Sequence, residues 1–443
     1  MIGIKGVGMT MLAEFLAHNG YNVNGSDVAD KFMTDEVLAK AGIDVLENFS
    51  ANHIGSPDLV IYSTAYSETN EEVKAAFDKK LKVISFAQAL GDIFNTRQGI
   101  AVAGSHGKTT TTAWLGYVLK ECGLEPNVMV GARVPQFNGA SLTGSSNVLV
   151  IEADEYQNKL QYFNPKMILL NNIDYDHPDF FKNEADYEKV FADFIAKLPK
   201  SGILIANFED KVVKKLSKEC KGRVISYGYK NSDYIISNIS FDGQKQYFKL
   251  QLDGSDVGDF AIQLNGKHNI LNATAVIVSA IELGAELHLI RRALESFTGT
   301  ARRLEIMGNF NGALIIDDYA HHPTEIKATL EAVKQKWPKK KIRVIFHPHT
   351  FSRTEALLAD FAKSFKKADE VIVLDIYTSA REEKGNITGE DVFKAIQAEK
   401  KNVIYKPTLK EAENYLRESA VENDLILLMG AGDVFRIGEK LIA

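Results

Sequence analysis

The chain has 443 residues, with 52 Lys and Arg against 58 Asp and Glu for a formal net charge of −6, and 45% of its residues are hydrophobic. That length supports two or three domains with cores of their own, and the acidic balance gives no global electrostatic support to a nucleic-acid partner. Cys122 and Cys220 are too few for a disulfide framework or a zinc knuckle, and neither a long apolar run nor a signal-peptide pattern occurs, so the expectation is a cytoplasmic protein without membrane insertion.

The first hundred residues alternate short apolar runs with helical patterns: "MIGIKGVGMTMLAEFLAHNG", "YNVNGSD", "DLVIYS", "EEVKAAFDKK" and "KVISFAQALGDIF". Strands of four to six residues separated by helices predict a doubly wound parallel sheet. The opening strand is unusually short, as a trimmed start would leave it. Gly3, Gly6 and Gly8 follow it, and Asp27 ends the next strand. The spacing is wrong for G-x-G-x-x-G, so it favours a nucleoside diphosphate over NAD only in combination with the rest of the chain.

A second stretch opens with "GIAVAGSHGKTTTTAWLG", an apolar strand running into a glycine loop and a helix. Gly104, Ser105, His106 and Gly107 form the loop. Its backbone N–H groups and the helix N-terminus would face an anion, with Lys108 on the terminal phosphates and the hydroxyl of Thr109, followed by Thr110, on Mg²⁺. Ala101 stands three positions before Gly104 and the leading glycine of the strict phosphate-loop pattern is missing, which leaves the shorter form G-x-x-G-K-T.

Carboxylates at neighbouring strand ends are what a phosphate loop with Mg²⁺ needs. "NVLVIEADE" supplies Glu152, Asp154 and Glu155, and "KMILLNNIDYDH" supplies Asp174, Asp176 and His177, the histidine readable as structural or as a ligand. From Asp233 to Leu264 an alternating pattern with Asp-Gly turns predicts an antiparallel excursion. In "NGKHNILNATA", Asn269 and Asn272 share a helix face, where they would read a purine edge or serve as caps. Arg302 and Arg303 follow at a domain junction. The last stretch returns to strict α/β alternation. "DDYAHHPTE" and "FHPHTFSRT" gather Asp318, Tyr319, His321, His322, His349 and Arg353 at one sheet edge, as a site for a small polar, anionic substrate would. The fold class is therefore α/β in three consecutive domains: a Rossmann-like domain over 1–97, a phosphate-loop ATPase domain with the antiparallel excursion over 98–298, and a Rossmann-like domain over 299–443.

The ordered series "GIKGVGM", "GSHGKTTT", "EADE", "NNIDYDH", "GKHNILNA", "ARRLE", "DDYAHHPTE", "HPHTFSRT", "DIYTSARE" and "MGAGD" resembles the Mur ligases, the ATP-dependent amino-acid ligases of peptidoglycan precursor synthesis. The resemblance implies a UDP-sugar site at Gly3, Gly6, Gly8, Asp27 and Ser63. It implies an ATP site at residues 104–110 with Asn269 and Asn272 on adenine, Arg302 on phosphate, and Asp318. Metal ligands would be Thr109, Glu152 and His177, and an amino-acid site would be formed by Tyr319, His321 and His322. Lys108, Glu152, His177, Arg302, His322, His349 and Arg353 would make up the catalytic set. Within the family, "DDYAHHPTE" and "PHTFSRT" resemble the members that join L-alanine to UDP-N-acetylmuramate through an acyl phosphate. Tyr156 and Gln157 after "EADE" instead resemble members that recycle a whole tripeptide. A carbamylated lysine between metals, as in some relatives, would fall near Glu188 or Lys189. The resemblance fits a monomer or weak homo-oligomer. A phosphate-loop switch ATPase is the reading from another class, and a dinucleotide-dependent oxidoreductase lacks its fingerprint.

Overall fold

The hub of the first sheet is a single residue. In the computed structural model, which describes residues 1–378, 382 and 384–443, Ile2 bridges in parallel to Ser26 on one side and to Tyr62 on the other. It thereby joins two parallel pairs, Asn24–Ser26 with Asp44–Leu46 and Val60–Tyr62 with Val83–Ser85. Backbone bonds from Ile2 N–H to the Ile61 carbonyl and from Ser63 N–H to the Ile2 carbonyl complete the ladder, and Gly3 turns the chain at φ 76° into the helix Val7–His18.

The central domain carries a ten-stranded sheet. Its six middle strands, Arg223–Gly228, Ile203–Asn207, Met167–Leu170, Gln98–Ala103, Val148–Glu152 and Asn127–Val134, run parallel in that spatial order. Ile100 to Ala103 and Leu149 to Ile151 are fully buried, as expected of strands covered on both faces. One face packs on the helices Lys108–Glu121 and Lys267–Glu282, where Trp114 stacks on Phe297. The other face packs on Glu184–Ile195 and on the first domain's helices Val7–His18 and Phe86–Asn95. The first domain is thus anchored through Met9, Leu12, Phe15 and Phe94, each such burial contributing roughly 1.5–3 kcal/mol. The antiparallel excursion takes the form Tyr234–Phe241, Gln246–Leu252 and Ser255–Ile262, added to the sheet edge through a short parallel pairing of Tyr227 and Gly228 with Tyr234 and Ile235.

The last domain is a six-stranded sheet in the order Glu305–Phe310, Ala313–Asp318, Asp424–Met429, Lys341–Phe346, Glu370–Val373 and Val403–Tyr405. Only the first strand is antiparallel. The loops that follow Ala313–Asp318 and Lys341–Phe346 meet the central domain, and these hold the polar cluster read from the sequence. Of the motif "DIYTSARE", Ser379, Ala380 and Arg381 lie outside the described residues, as does Glu383 beyond it.

Candidate active site

The phosphate loop is built by two glycines in the left-handed region, Gly104 at φ 129° and Gly107 at φ 78°, the latter capping the helix Lys108–Glu121. A Cβ at Gly107 would lie 2.9 Å from Asn272 Oδ1, so the close approach of a second helix also requires glycine. Lys108 folds back over its own loop. Its Nζ donates to the Gly104 carbonyl at 2.5 Å and to Glu155 Oε2 at 2.8 Å, and the carboxylates Glu155, Asp154 and Glu152 outweigh burial and keep the ammonium charged. Thr109 Oγ1 donates to Glu152 Oε1 at 2.8 Å, and the other Glu152 oxygen accepts from Gly131 N–H at 2.9 Å.

His177 sits at φ 58° beneath the ring of Tyr156, centroids 4.6 Å apart. Its Nε2 faces Glu155 Oε1 at 3.8 Å, and the donor atoms of Asp154, Glu155 and His177 all lie within 4.8 Å of one another. His177 therefore groups with the second and third carboxylates of "EADE", while Glu152 is taken by Thr109. Glu155 is 1% exposed and also accepts from the Tyr187 hydroxyl at 3.0 Å, which in turn meets Ser105 Oγ at 2.8 Å. Tyr187 is the residue of its helix that reaches the site. Glu188 and Lys189, where a carbamylated lysine was expected, pair instead with Lys215 and Asp193, because they lie on the outer face of that helix.

The third domain is closed onto this centre. Arg353, 4% exposed, donates from Nε and Nη2 to the two oxygens of Asp176 at 2.7 and 3.2 Å. That guanidinium, more than its burial resists, holds Asp176 well below the usual carboxylate range. Thr324 Oγ1 donates to Asp174 Oδ2 at 2.5 Å, and His322 Nε2 lies 3.3 Å from the Tyr175 carbonyl. His106 bridges the two domains: Nε2 meets Asp174 Oδ2 at 3.0 Å, and Nδ1 lies 3.4 Å from Glu325 Oε1. Burial opposes the imidazolium, but hydrogen bonds to Asp174 and Glu325 prevail and raise it to about 9.

A cavity of about 620 Å³ opens between the central and third domains. His106, Gly107 and Thr110 form its floor, Asn269 and Asn272 one wall, and Arg303, Asp318 and Glu325 another. Asn269 and Asn272 are not caps. Gly266 holds the capping position, and the two amides bond to the Asn265 carbonyl and to each other. Arg303 faces the cavity, whereas Arg302, the arginine assigned to phosphate from the sequence, is clasped within the third domain by Asp317 at 2.9 Å and the Gly430 carbonyl at 2.8 Å. Its left-handed backbone, φ 60°, turns successive side chains to different surroundings.

A second cavity of about 320 Å³ lies between the first and central domains, lined by Gly6, Gly8, Ser63, Glu152, Asp154 and Tyr319 among others. Gly3 stands outside this lining, covered by the ring of Tyr66, and Asp27 fastens the neighbouring loops by accepting from Lys5 N–H at 2.7 Å and Val28 N–H at 2.8 Å. Tyr319, His321, His349 and Tyr377 form a chain of ring contacts at 5.3, 6.1 and 5.4 Å. His322 is separated from that chain. It caps the helix Pro323–Lys336 through Thr324 N–H and lies 4.8 Å from the ring of His106. Burial pushes His321 down to about 4, so it is neutral at physiological pH.

Sequence reasoning missed Tyr187, Lys159 and Glu325 as parts of this site. Lys159, 9% exposed, lines the second cavity and donates to Asp154 at 2.5 Å. Its signal was faint, since Gln157 and Asn158 must both turn left-handed to bring it inward.

A phosphate loop with carboxylates on neighbouring strands, closed over by a third α/β domain, defines an ATP-using enzyme assembled from three parts. Family models match all three: "Mur ligase family, catalytic domain" over 1–98, "Mur ligase middle domain" over 102–280 and "Mur ligase, glutamate ligase domain" over 302–432. The chain belongs to the Mur ligase family of ATP-dependent amide-forming ligases. It is 40% identical to the UDP-N-acetylmuramate–L-alanine ligase of Desulfitobacterium hafniense, covering 100% of this chain and 98% of that one. It is 38% identical to the enzyme of the same name from Alkaliphilus metalliredigens, covering 100% and 96%. Among solved structures, the UDP-N-acetylmuramate–alanine ligase of Thermotoga maritima superposes with a TM-score of 0.85 at 28% identity over 100% of this chain and 97% of that one. A murein peptide ligase of Psychrobacter arcticus gives 0.76 at 25%, again covering 100% and 97%. Among the described residues no helix is long and apolar enough to cross a membrane.

Proposed function

We propose that the protein joins L-alanine to the lactyl carboxylate of UDP-N-acetylmuramate with cleavage of ATP, in cytoplasmic synthesis of peptidoglycan precursors. The observation that carries this reading is that two cavities end on either side of one hydrogen bond, Thr109 of the phosphate loop donating to Glu152 at 2.8 Å. The larger reaches the phosphate loop at His106, Gly107 and Thr110, and the smaller runs from the first domain's Gly6 and Gly8 to Glu152 and Tyr319. ATP in the first cavity and the sugar nucleotide in the second present a γ-phosphate and a carboxylate to each other across Glu152 and Lys108.

A carboxylate is a poor electrophile at neutral pH, so amide formation needs its oxygen to attack the γ-phosphate first, giving an acyl phosphate and ADP. The amine then attacks the acyl carbon and phosphate leaves. Lys108 exchanges its Glu155 partner for phosphate oxygens and stabilises their charge in both steps. The Thr109 hydroxyl with Glu152, and the donors of Asp154, Glu155 and His177, are the hard oxygen and imidazole ligands that would hold Mg²⁺. When bound, Mg²⁺ supplies charge compensation to the phosphates. Closure of the third domain by Arg353 on Asp176 excludes water, which would otherwise hydrolyse the acyl phosphate. The chain of Tyr319, His321 and His349, with a neutral His321, suits the small amine acceptor.

The test is to incubate ATP and UDP-N-acetylmuramate with L-alanine, glycine, L-serine or L-alanyl-γ-D-glutamyl-diaminopimelate, and to weigh the products by mass spectrometry. The alanine adduct is expected to dominate, with weaker glycine and serine products. A dominant tripeptide adduct would make this a recycling ligase, and phosphate release without the sugar nucleotide would make it a switch ATPase.

A further inference from the structure

Beyond the ligase reaction, we propose that His106, Asp174 and His322 form a binding site for a zinc-class divalent cation that fastens the phosphate loop to the third domain. Two of these residues belong to the central domain and one to the third. Their ligand atoms all lie within 4.8 Å of one another, with Asp174 Oδ2 at 3.0 Å from His106 Nε2 and 3.5 Å from His322 Nδ1. Tetrahedral ligands at about 2.0–2.1 Å from a metal stand at such separations from each other.

The groups behind the three donors are those a metal site needs. A ligating imidazole directs its other nitrogen's proton to a carboxylate or carbonyl, which fixes the tautomer and leaves a lone pair for the ion. Glu325 Oε1 lies 3.4 Å from His106 Nδ1, and the Tyr175 carbonyl lies 3.3 Å from His322 Nε2. The Thr324 hydroxyl donates to Asp174, orienting that carboxylate. His106 Nε2 is thereby left to coordinate, and His322 Nδ1, which accepts from Thr324 N–H at 3.3 Å, gives up that helix cap to do so. Two imidazoles and one carboxylate select zinc-class ions over Mg²⁺, which takes oxygen donors. His106 and Asp174 line the larger cavity, so a fourth position opens toward it. On binding, the Nε2 proton of His106 passes to solvent as its lone pair goes to the metal, and Asp174 changes from hydrogen-bond acceptor to ligand. The bound ion ties the phosphate loop to the third domain across the seam.

The test uses full-length, metal-free protein in millimolar Mg²⁺, titrated with Co²⁺ and followed by visible spectroscopy. One equivalent of four-coordinate cobalt bands is expected, displaced by Zn²⁺. Glu325→Gln should weaken the affinity about 10- to 100-fold, and His322→Gln by at least as much. X-ray absorption on the unsubstituted protein should show two imidazoles and decides the matter even if a variant fails to fold. A single imidazole, which is all that Asp154, Glu155 and His177 can offer, an all-oxygen shell, or undiminished affinity in folded His322→Gln would overturn the site.

Discussion

Two glycine loops in this protein follow a parallel strand and open a helix, yet they use that geometry differently. Around Gly3, Gly6 and Gly8 the only cation of the loop, Lys5, is turned inward to the carbonyls of Val28 and Asp30 and is 2% exposed. The loop offers an anion only backbone and the helix N-terminus. Around Gly104 and Gly107 the loop carries Lys108, Thr109 and His106, each paired with a carboxylate. The contrast is the one the two proposed tasks require: a diphosphate that is merely held needs amides, whereas a phosphoryl group that is transferred needs movable charge and a cation with ligands beside it.

The sharpest break of that contrast is Lys108→Ala. Loss of transition-state charge stabilisation of about 3–4 kcal/mol lowers turnover by two to three orders of magnitude, measured as phosphate release with saturating substrates. Lys108 is 12% exposed and paired with a buried carboxylate, so the substitution also takes the ammonium partner from Glu155, leaving it the Tyr187 hydroxyl, and lowers the melting temperature. The equivalent change in the first loop, Lys5→Ala, should alter stability and the KM for the sugar nucleotide while kcat stays within a few-fold.

His106 gives the phosphate loop a pH signature of its own. Its folded value, about 9, lies above the unfolded value of 6.5, so its stabilisation is fully present below 6.5 and is lost as pH rises through 9. That amounts to roughly 3 kcal/mol between the two limits. Thermal unfolding followed from pH 6.5 to 9.5 should show the decline, and His106→Asn should flatten it. A slope unchanged in the variant would mean that Asp174 and Glu325 do not hold the proton there.

The phosphate loop was legible because its chemistry is local: glycine, lysine and threonine must stand in sequence. The carboxylates of "EADE" were legible as a group, but the division of labour among them was not. Whether Glu152 or Glu155 meets His177 depends on a left-handed turn at His177 and on Tyr187 arriving from a distant helix. Arg302 was chosen over Arg303 for a similar reason, since adjacent residues are distinguished only by the backbone turn between them. "DDYAHHPTE" was read as one cluster. In three dimensions it divides, His321 joining the ring chain and His322 capping a helix against the phosphate loop. The architecture was most legible in the central and third domains, where fully buried parallel strands such as Met167–Leu170 and Asp424–Met429 are continuous apolar runs.

The mildest predictions compare the capping glycines themselves. Gly107 stands at φ 78°, and alanine there would incur about 1–2 kcal/mol of backbone strain besides pressing on Asn272. Gly107→Ala should therefore raise the KM for ATP and lower the melting temperature together. Gly6 caps the first helix at φ −61°, an ordinary conformation, and the nearest atom to an added Cβ is the Gly3 carbonyl at 3.6 Å. Gly6→Ala should leave the fold within about 0.5 kcal/mol of its original stability, as surface substitutions usually do. The methyl group nevertheless projects from a residue lining the smaller cavity, where a diphosphate would approach the backbone. The KM for UDP-N-acetylmuramate should rise several-fold, with the KM for ATP and the melting temperature unchanged. If instead Gly6→Ala binds the sugar nucleotide normally in a calorimetric titration, the diphosphate does not rest on this loop, and the first domain holds its ligand by side chains after all.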